Sequence, residues 1–216
     1  MQNVTKGTST SMRASASGFV VWGGWGLTLA GMLWMMTYLA GVMAGKLIDP
    51  NYFDGSATMW LGMIANEAAQ ICLGTGLLLL SVWLWRRAKV LGSGAIGLET
   101  VALITHLINI TQLSSLFGGG MLPRVMAGMT TITLFVGMTL LAIAILRTRA
   151  FPGFPAVMLL LIGVLTVPLI ILGFLLGRFV PASLFSDLPL ALAAALLMWI
   201  GIGVLRRGRE RAFLNR

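Results

Sequence analysis

The chain has 216 residues, of which 58% are hydrophobic and only 10% charged. A soluble domain is about a quarter charged, so this composition excludes an ordinary water-soluble fold and indicates a membrane protein with no room for a separate soluble domain. The net charge of +9 does not indicate nucleic acid, because the basic residues sit in short clusters at the ends of apolar runs, where they act as topology signals.

The chain opens with MQNVTKGTSTSMRASAS (1–17), polar and rich in Ser and Thr, which reads as a flexible cytoplasmic tail. The apolar run that follows, Gly18 to Gly45, is 28 residues long. A signal-peptide core has about 7–15, so this run is expected to be a spanning helix. Six runs follow one another at 18–45, 57–85, 91–117, 123–146, 155–179 and 188–205. Each is near the ~20 residues that a bilayer core requires. They are too long for barrel strands and lack alternation, so they are expected to be helices. The breaks carry turn chemistry: Asp-Pro and Asp-Gly in KLIDPNYFDGS (46–56), three Gly and a Pro in FGGGMLP (117–123), and RTRAFPGFP (147–155). In VPASLFSDLP (180–189), Ser186 or Asp187 is expected to cap the sixth helix, with Pro189 in its first turn. Pro168 falls inside the fifth helix. Small-residue pairs at Gly41/Gly45 and Gly173/Gly177 have the spacing that lets membrane helices approach closely. Trp22, Trp25, Trp60, Trp83, Trp85 and Phe185 are placed as interface-belt residues, and Trp34 as an internal packer.

Lys and Arg set the orientation. Twelve fall on one side, at Lys6, Arg13, Arg86, Arg87, Lys89, Arg147, Arg149, Arg206, Arg207, Arg209, Arg211 and Arg216. Three fall on the other, at Lys46, Arg124 and Arg178. Cytoplasmic loops carry the excess. The expected fold class is therefore all-α, a bundle of six transmembrane helices over 18–205 with both termini cytoplasmic, in the cell (plasma or inner) membrane. The basic tail RRGRERAFLNR (206–216) would attract anionic lipid.

Polar residues inside apolar helices are costly and stand out. In the second helix, MWLGMIANEAAQICLG sets Asn66, Glu67 and Gln70 within about 100° of one another, at about 100° per residue. In the third, LETVALITHLINITQL holds Glu99, His106, Asn109 and Gln112. Glu67 lies ten residues from Ala57 and His106 ten from Leu116, so each sits about 15 Å inside the same boundary at 1.5 Å per residue. A pair between them is geometrically allowed. A lone carboxylate at that depth costs about 2.5–3.5 kcal/mol on insertion scales. It must pair, take a proton or meet water. Glu99 lies nearer the cytoplasm, where it could contact Arg86, Arg87 or Lys89 across the turn between the second and third helices, and it stands with the others as a candidate ligand- or proton-binding residue.

Several chemistries are absent from the sequence. With one Cys (Cys72) and one His (His106), the chain holds neither a Cys/His zinc site nor a bis-His haem. It has no P-loop, HExxH or GxSxG. Ser114 and Ser115 are too far along the helix axis from His106 to be catalytic partners. No catalytic residue, metal or cofactor is expected, and the balance leans away from an enzyme. The order LGMIANEAAQICLGTGLLLLSVWLWRR, a short turn, then GSGAIGLETVALI resembles, over about 50 residues, an uncharacterised family of six-helix bacterial membrane proteins, a domain of unknown function. The resemblance implies the six-helix fold and no activity.

Two functional readings remain. In the first, the polar cluster of the second and third helices binds or transports a proton, a cation or a small polar ligand, with Glu67 and His106 as titratable centre and Asn66, Gln70, Asn109 and Gln112 orienting it. In the second, the cluster is interhelical glue in a non-catalytic accessory or assembly subunit, acting as a homo-oligomer or within a larger membrane complex.

Overall fold

A computed structural model of the chain describes residues 4–43, 57–114, 121–151, 153–176 and 182–214. They form six α-helices: α1 (Val4–Met43), α2 (Ala57–Trp85), α3 (Lys89–Ser114), α4 (Met121–Thr148), α5 (Gly153–Leu176) and α6 (Ala182–Leu214). Four of them contain a described stretch long and apolar enough to cross a membrane: Gly18–Met43, Ala57–Trp85, Lys89–Thr111 and Gly128–Thr148. The described apolar part of α5, Gly153–Leu169, is shorter.

Two helices overrun the apolar boundaries. α1 begins at Val4, inside the segment expected as a flexible tail, and α6 continues to Leu214, through most of the basic tail. A membrane boundary limits apolarity and not helicity. Arg, Glu, Ala and Leu are good helix formers, so RRGRERAFL extends the last helix. The expected cap at Ser186 or Asp187 is also displaced: α6 starts at Ala182, and Pro189 stands inside it. Pro168 lies within α5, where it leaves the Val164 carbonyl without its intrahelical donor.

Each helix packs against its neighbours in sequence, and α1 packs against α6, so the six close into a ring. α2 also touches α4 across it. Neighbours are antiparallel, as paired contacts show: Gly23 with Leu80 and Gly62 with Ala40 between α1 and α2, Gly24 with Leu205 and Gly31 with Ala194 between α1 and α6. One end of the bundle gathers Arg86, Arg87 and Lys89 after α2, Arg147 and Arg149 after α4, and Arg206 and Arg207 on α6. This is called the basic end below. At the α4–α5 turn there, Arg149 itself takes the left-handed conformation (φ 49°). The Ala150 N–H then reaches back to the Ile145 carbonyl at 3.3 Å, which closes the helix end in the manner usually left to glycine.

α1 is held by backbone contact on both flanks. A Cβ on Gly26 would stand 2.6 Å from Gly76 Cα and 2.8 Å from the Cys72 carbonyl oxygen of α2. On the other flank, a Cβ on Gly201 of α6 would stand 2.7 Å from the Thr28 amide nitrogen. The hydroxyls at these contacts are satisfied: Thr28 donates to the Gly24 carbonyl at 2.9 Å, and Thr37 to Leu33 at 3.0 Å and across to Gly62 of α2 at 3.2 Å. Of the pairs expected from spacing, Gly45 and Gly177 lie outside the described residues. Leu27, Leu73, Leu77, Leu80, Met138, Leu141 and Leu197 fill the interior, and Trp34 is buried with its Nε1 unpartnered. Trp22, Trp25, Trp60, Trp85 and Trp199 are exposed.

Candidate functional site

The polar side chains of α2 and α3 meet along one seam, backed by α4. Antiparallel packing of consecutive helices sets residues equidistant from their connection side by side. Near the end opposite the basic one, His106 Nε2 stands 3.2 Å from Glu67 Oε2 and 3.3 Å from the Glu67 backbone carbonyl oxygen. The imidazole is buried, whereas the Glu67 side chain is 37% exposed. The two acceptors compete for one ring nitrogen. Direction favours the carbonyl, so Oε2 is close to the ring yet makes no directed hydrogen bond. The acceptor capacity of Oε2 is therefore unused.

The other candidates separate into those at the pair and those away from it. Gln70 lies half-buried beside His106, lining the same small gap. Asn109, one turn from His106, is buried with its Oδ1 unpartnered. Asn66 is half-buried. Gln112 falls on α3, but its side chain lies outside those described. The gap beside His106 is lined by Gln70, Gly74, Ala102, Leu103, Thr130 and Leu134 and is too narrow for a water molecule.

Sequence reasoning did not mark Thr105 and Thr130, the next polar contact toward the basic end. Their hydroxyls are 2.9 Å apart and tie α3 to α4, while Thr105 also bonds back to the Val101 and Ala102 carbonyls of its own helix. A Thr in an apolar run carries little signal because its hydroxyl satisfies itself on the preceding turn.

Glu99 departs from expectation. It does not reach out to Arg86, Arg87 or Lys89, which are exposed. Its side chain is 0% exposed, turned between α2 and α4. Ser81 Oγ donates to Oε1 at 3.1 Å, and Oε2 has no partner. Gly137 of α4 provides the space, since a Cβ there would stand 3.0 Å from Glu99 Cγ. The physical reason is α4: with it covering this face of α3, the side chain is walled off from the turn it would have to cross. Burying a carboxylate with one neutral donor and no cation is unfavourable by several kcal/mol. The arrangement suits a carboxyl group that carries a proton.

The seam thus holds two acidic positions at different depths. His106 and Glu99 are seven residues apart on α3, about 10 Å along the axis, with the Thr105–Thr130 contact between them and the apolar Ala102 and Leu103 closing the gap. Among the described residues no three His, Cys, Asp or Glu side chains come together to hold a metal ion. No protein-family model matches the chain, and neither does any curated protein or solved structure.

Proposed function

We propose that the chain is a six-span protein of the bacterial cell membrane, with both termini cytoplasmic, whose α2–α3 seam binds or transports a proton, a cation or a small polar ligand. The charge asymmetry of the ends supports the orientation, and the six helices, four of them with described stretches long and apolar enough to cross a membrane, support the span count. One observation carries the functional part: Glu67 Oε2 stands 3.2 Å from His106 Nε2 without a directed hydrogen bond, in a chain where ionisable groups among apolar helices are costly and mark pathways. The proton is the ligand that the pair itself accounts for. Glu99, buried with a free oxygen, is the second proton-holding position on the same seam.

The test is proton flux into proteoliposomes containing a pH-sensitive dye, driven by an imposed membrane potential. Flux above that of empty liposomes is expected, falling to background in Glu67→Gln and in His106→Ala. Flux that is unchanged in both variants sinks the reading.

A second reading, a non-catalytic accessory or assembly subunit, draws support from the gap beside His106, which admits no water. In that case the seam is adhesive, and the protein co-purifies with a larger membrane complex under mild detergent.

A further inference from the structure

Three pairs of residues face one another along the seam. On α2, Glu67, Gly74 and Ser81 recur every seven residues and so share one face. On α3, His106, Leu103 and Glu99 are spaced by three and four and share the face turned toward them. The structure pairs them in that order: Glu67 with His106, Gly74 with Leu103, and Ser81 with Glu99. The first and third pairs are polar. The middle pair is hydrocarbon, about 10 Å from each of the others along α2.

Leu103 is seated in the notch that Gly74 leaves. The three atoms nearest a Cβ built on Gly74 all belong to the Leu103 side chain, at 2.7, 3.0 and 3.7 Å. Ala102 of α3 and Leu134 of α4 line the same gap, so the wall around Leu103 is apolar on three helices. The polar residues that line the gap, Gln70, His106 and Thr130, lie on the Glu67 side of Leu103. Ser81 and Glu99 lie on the other side and do not line it. The gap admits no water. A proton crosses a membrane protein along hydrogen-bonding groups, and a dry hydrocarbon constriction interrupts them.

Resting on the reading of the seam as a proton site, we infer that Leu103, seated on Gly74, is the barrier between the Glu67–His106 site and Glu99. Protons pass while the Leu103 side chain is out of the notch and water takes its place. A buried water needs about two to four polar partners, and Gln70, His106 and Thr130 offer them at the edge of the space that Leu103 vacates.

The notch allows a swap. Leu103→Ala empties it. Gly74→Leu, added to Leu103→Ala, refills it from α2, because the atoms nearest the new Cβ are the ones removed. Proton flux into proteoliposomes is measured at an imposed membrane potential, with the melting temperature alongside. Leu103→Ala is expected to raise flux several-fold, and the double variant to return it to the wild-type level. Leu73→Ala controls for a cavity elsewhere: Leu73 is 0% exposed and does not line the gap, so its variant should lose stability without gaining flux. Flux unchanged by Leu103→Ala, or raised as much by Leu73→Ala, overturns the barrier. So does a double variant that folds and still leaks. Background flux in the wild type, with conduction in Leu103→Ala that the double variant stops, sinks the transport reading and leaves the barrier standing. Conduction in the wild type that Leu103→Ala does not increase does the reverse. Should Leu103→Ala fail to fold, Leu103→Asn takes its place with the same expectation, since it keeps most of the volume and carries hydrogen-bonding groups into the wall.

Discussion

The two flanks of α1 and the α2–α3 seam are opposite solutions to joining helices. At α1 the backbones themselves touch: Gly26 lies against Gly76 and Gly201 against Thr28, and the Thr28 and Thr37 hydroxyls there have partners. At the α2–α3 seam, side chains hold the helices apart, and Glu67 Oε2, Asn109 Oδ1 and Glu99 Oε2 are left without hydrogen bonds. Lipid tails are as apolar as Leu, so close packing by small residues is the main adhesive open to membrane helices, and interhelical hydrogen bonds average only about 0.6 kcal/mol. The bundle shows at α1 that it can be joined mainly by backbone contact, with Thr37 to Gly62 as an interhelical hydroxyl bond and every hydroxyl named there partnered. The polar seam is thus an expensive way to do what glycine does more simply, and that cost is what favours a functional reading of it.

The contrast can be broken most forcefully at α1. Gly26→Leu forces backbone apart at Gly76 and Cys72 and is expected to cost more than about 3 kcal/mol, read as loss of the monodisperse species in detergent and a large drop in melting temperature. Gly97→Ala is its matched control, because a Cβ there meets nothing within 4 Å. It should add about 0.5–1 kcal/mol through helix propensity. If the two variants behaved alike, α1 would not be packed as described.

At the seam the sign should reverse. Glu99→Met replaces a buried carboxyl group with a flexible apolar side chain, and Ser81 can turn its hydroxyl back to its own helix. Stability is expected to rise by about 1–3 kcal/mol, measured by thermal unfolding in detergent, while any proton flux falls. A loss of stability of that size would instead make the Ser81–Glu99 bond a structural tie. The smallest effect belongs to Thr105 and Thr130. A double-mutant cycle with Thr105→Val and Thr130→Val should give a coupling near 0.6 kcal/mol, and a coupling several times larger would make the seam a principal adhesive of the fold.

Much of the helix layout was legible because an apolar run of membrane length has few alternatives. The ends were not, since RRGRERAFL is both a basic stop and a good helix, and only the structure shows α6 continuing to Leu214. The equal depth of Glu67 and His106 followed from counting residues inward on consecutive antiparallel helices, a calculation that needs no third element, and it left open whether they pair. Glu99 defeated the same counting because its fate depends on α4, where Gly137 opens the space that the carboxyl group occupies. The glycine contacts of α1 were missed for a related reason: spacing along one helix says which residues are small, and not which of them faces another helix. Gly26 and Gly76 meet through a pairing of two helices that no motif on either one records.

The closure of the ring has a consequence in time. α1 is made before α6, yet one of its two glycine-lined flanks is completed only by α6, about 140 residues later in the chain. At typical synthesis rates of roughly 5–20 residues per second, that flank waits on the order of ten seconds for its mate. Until then α1 presents a bare strip of exposed backbone, free to be shielded by an insertion factor or to be taken by a wrong helix.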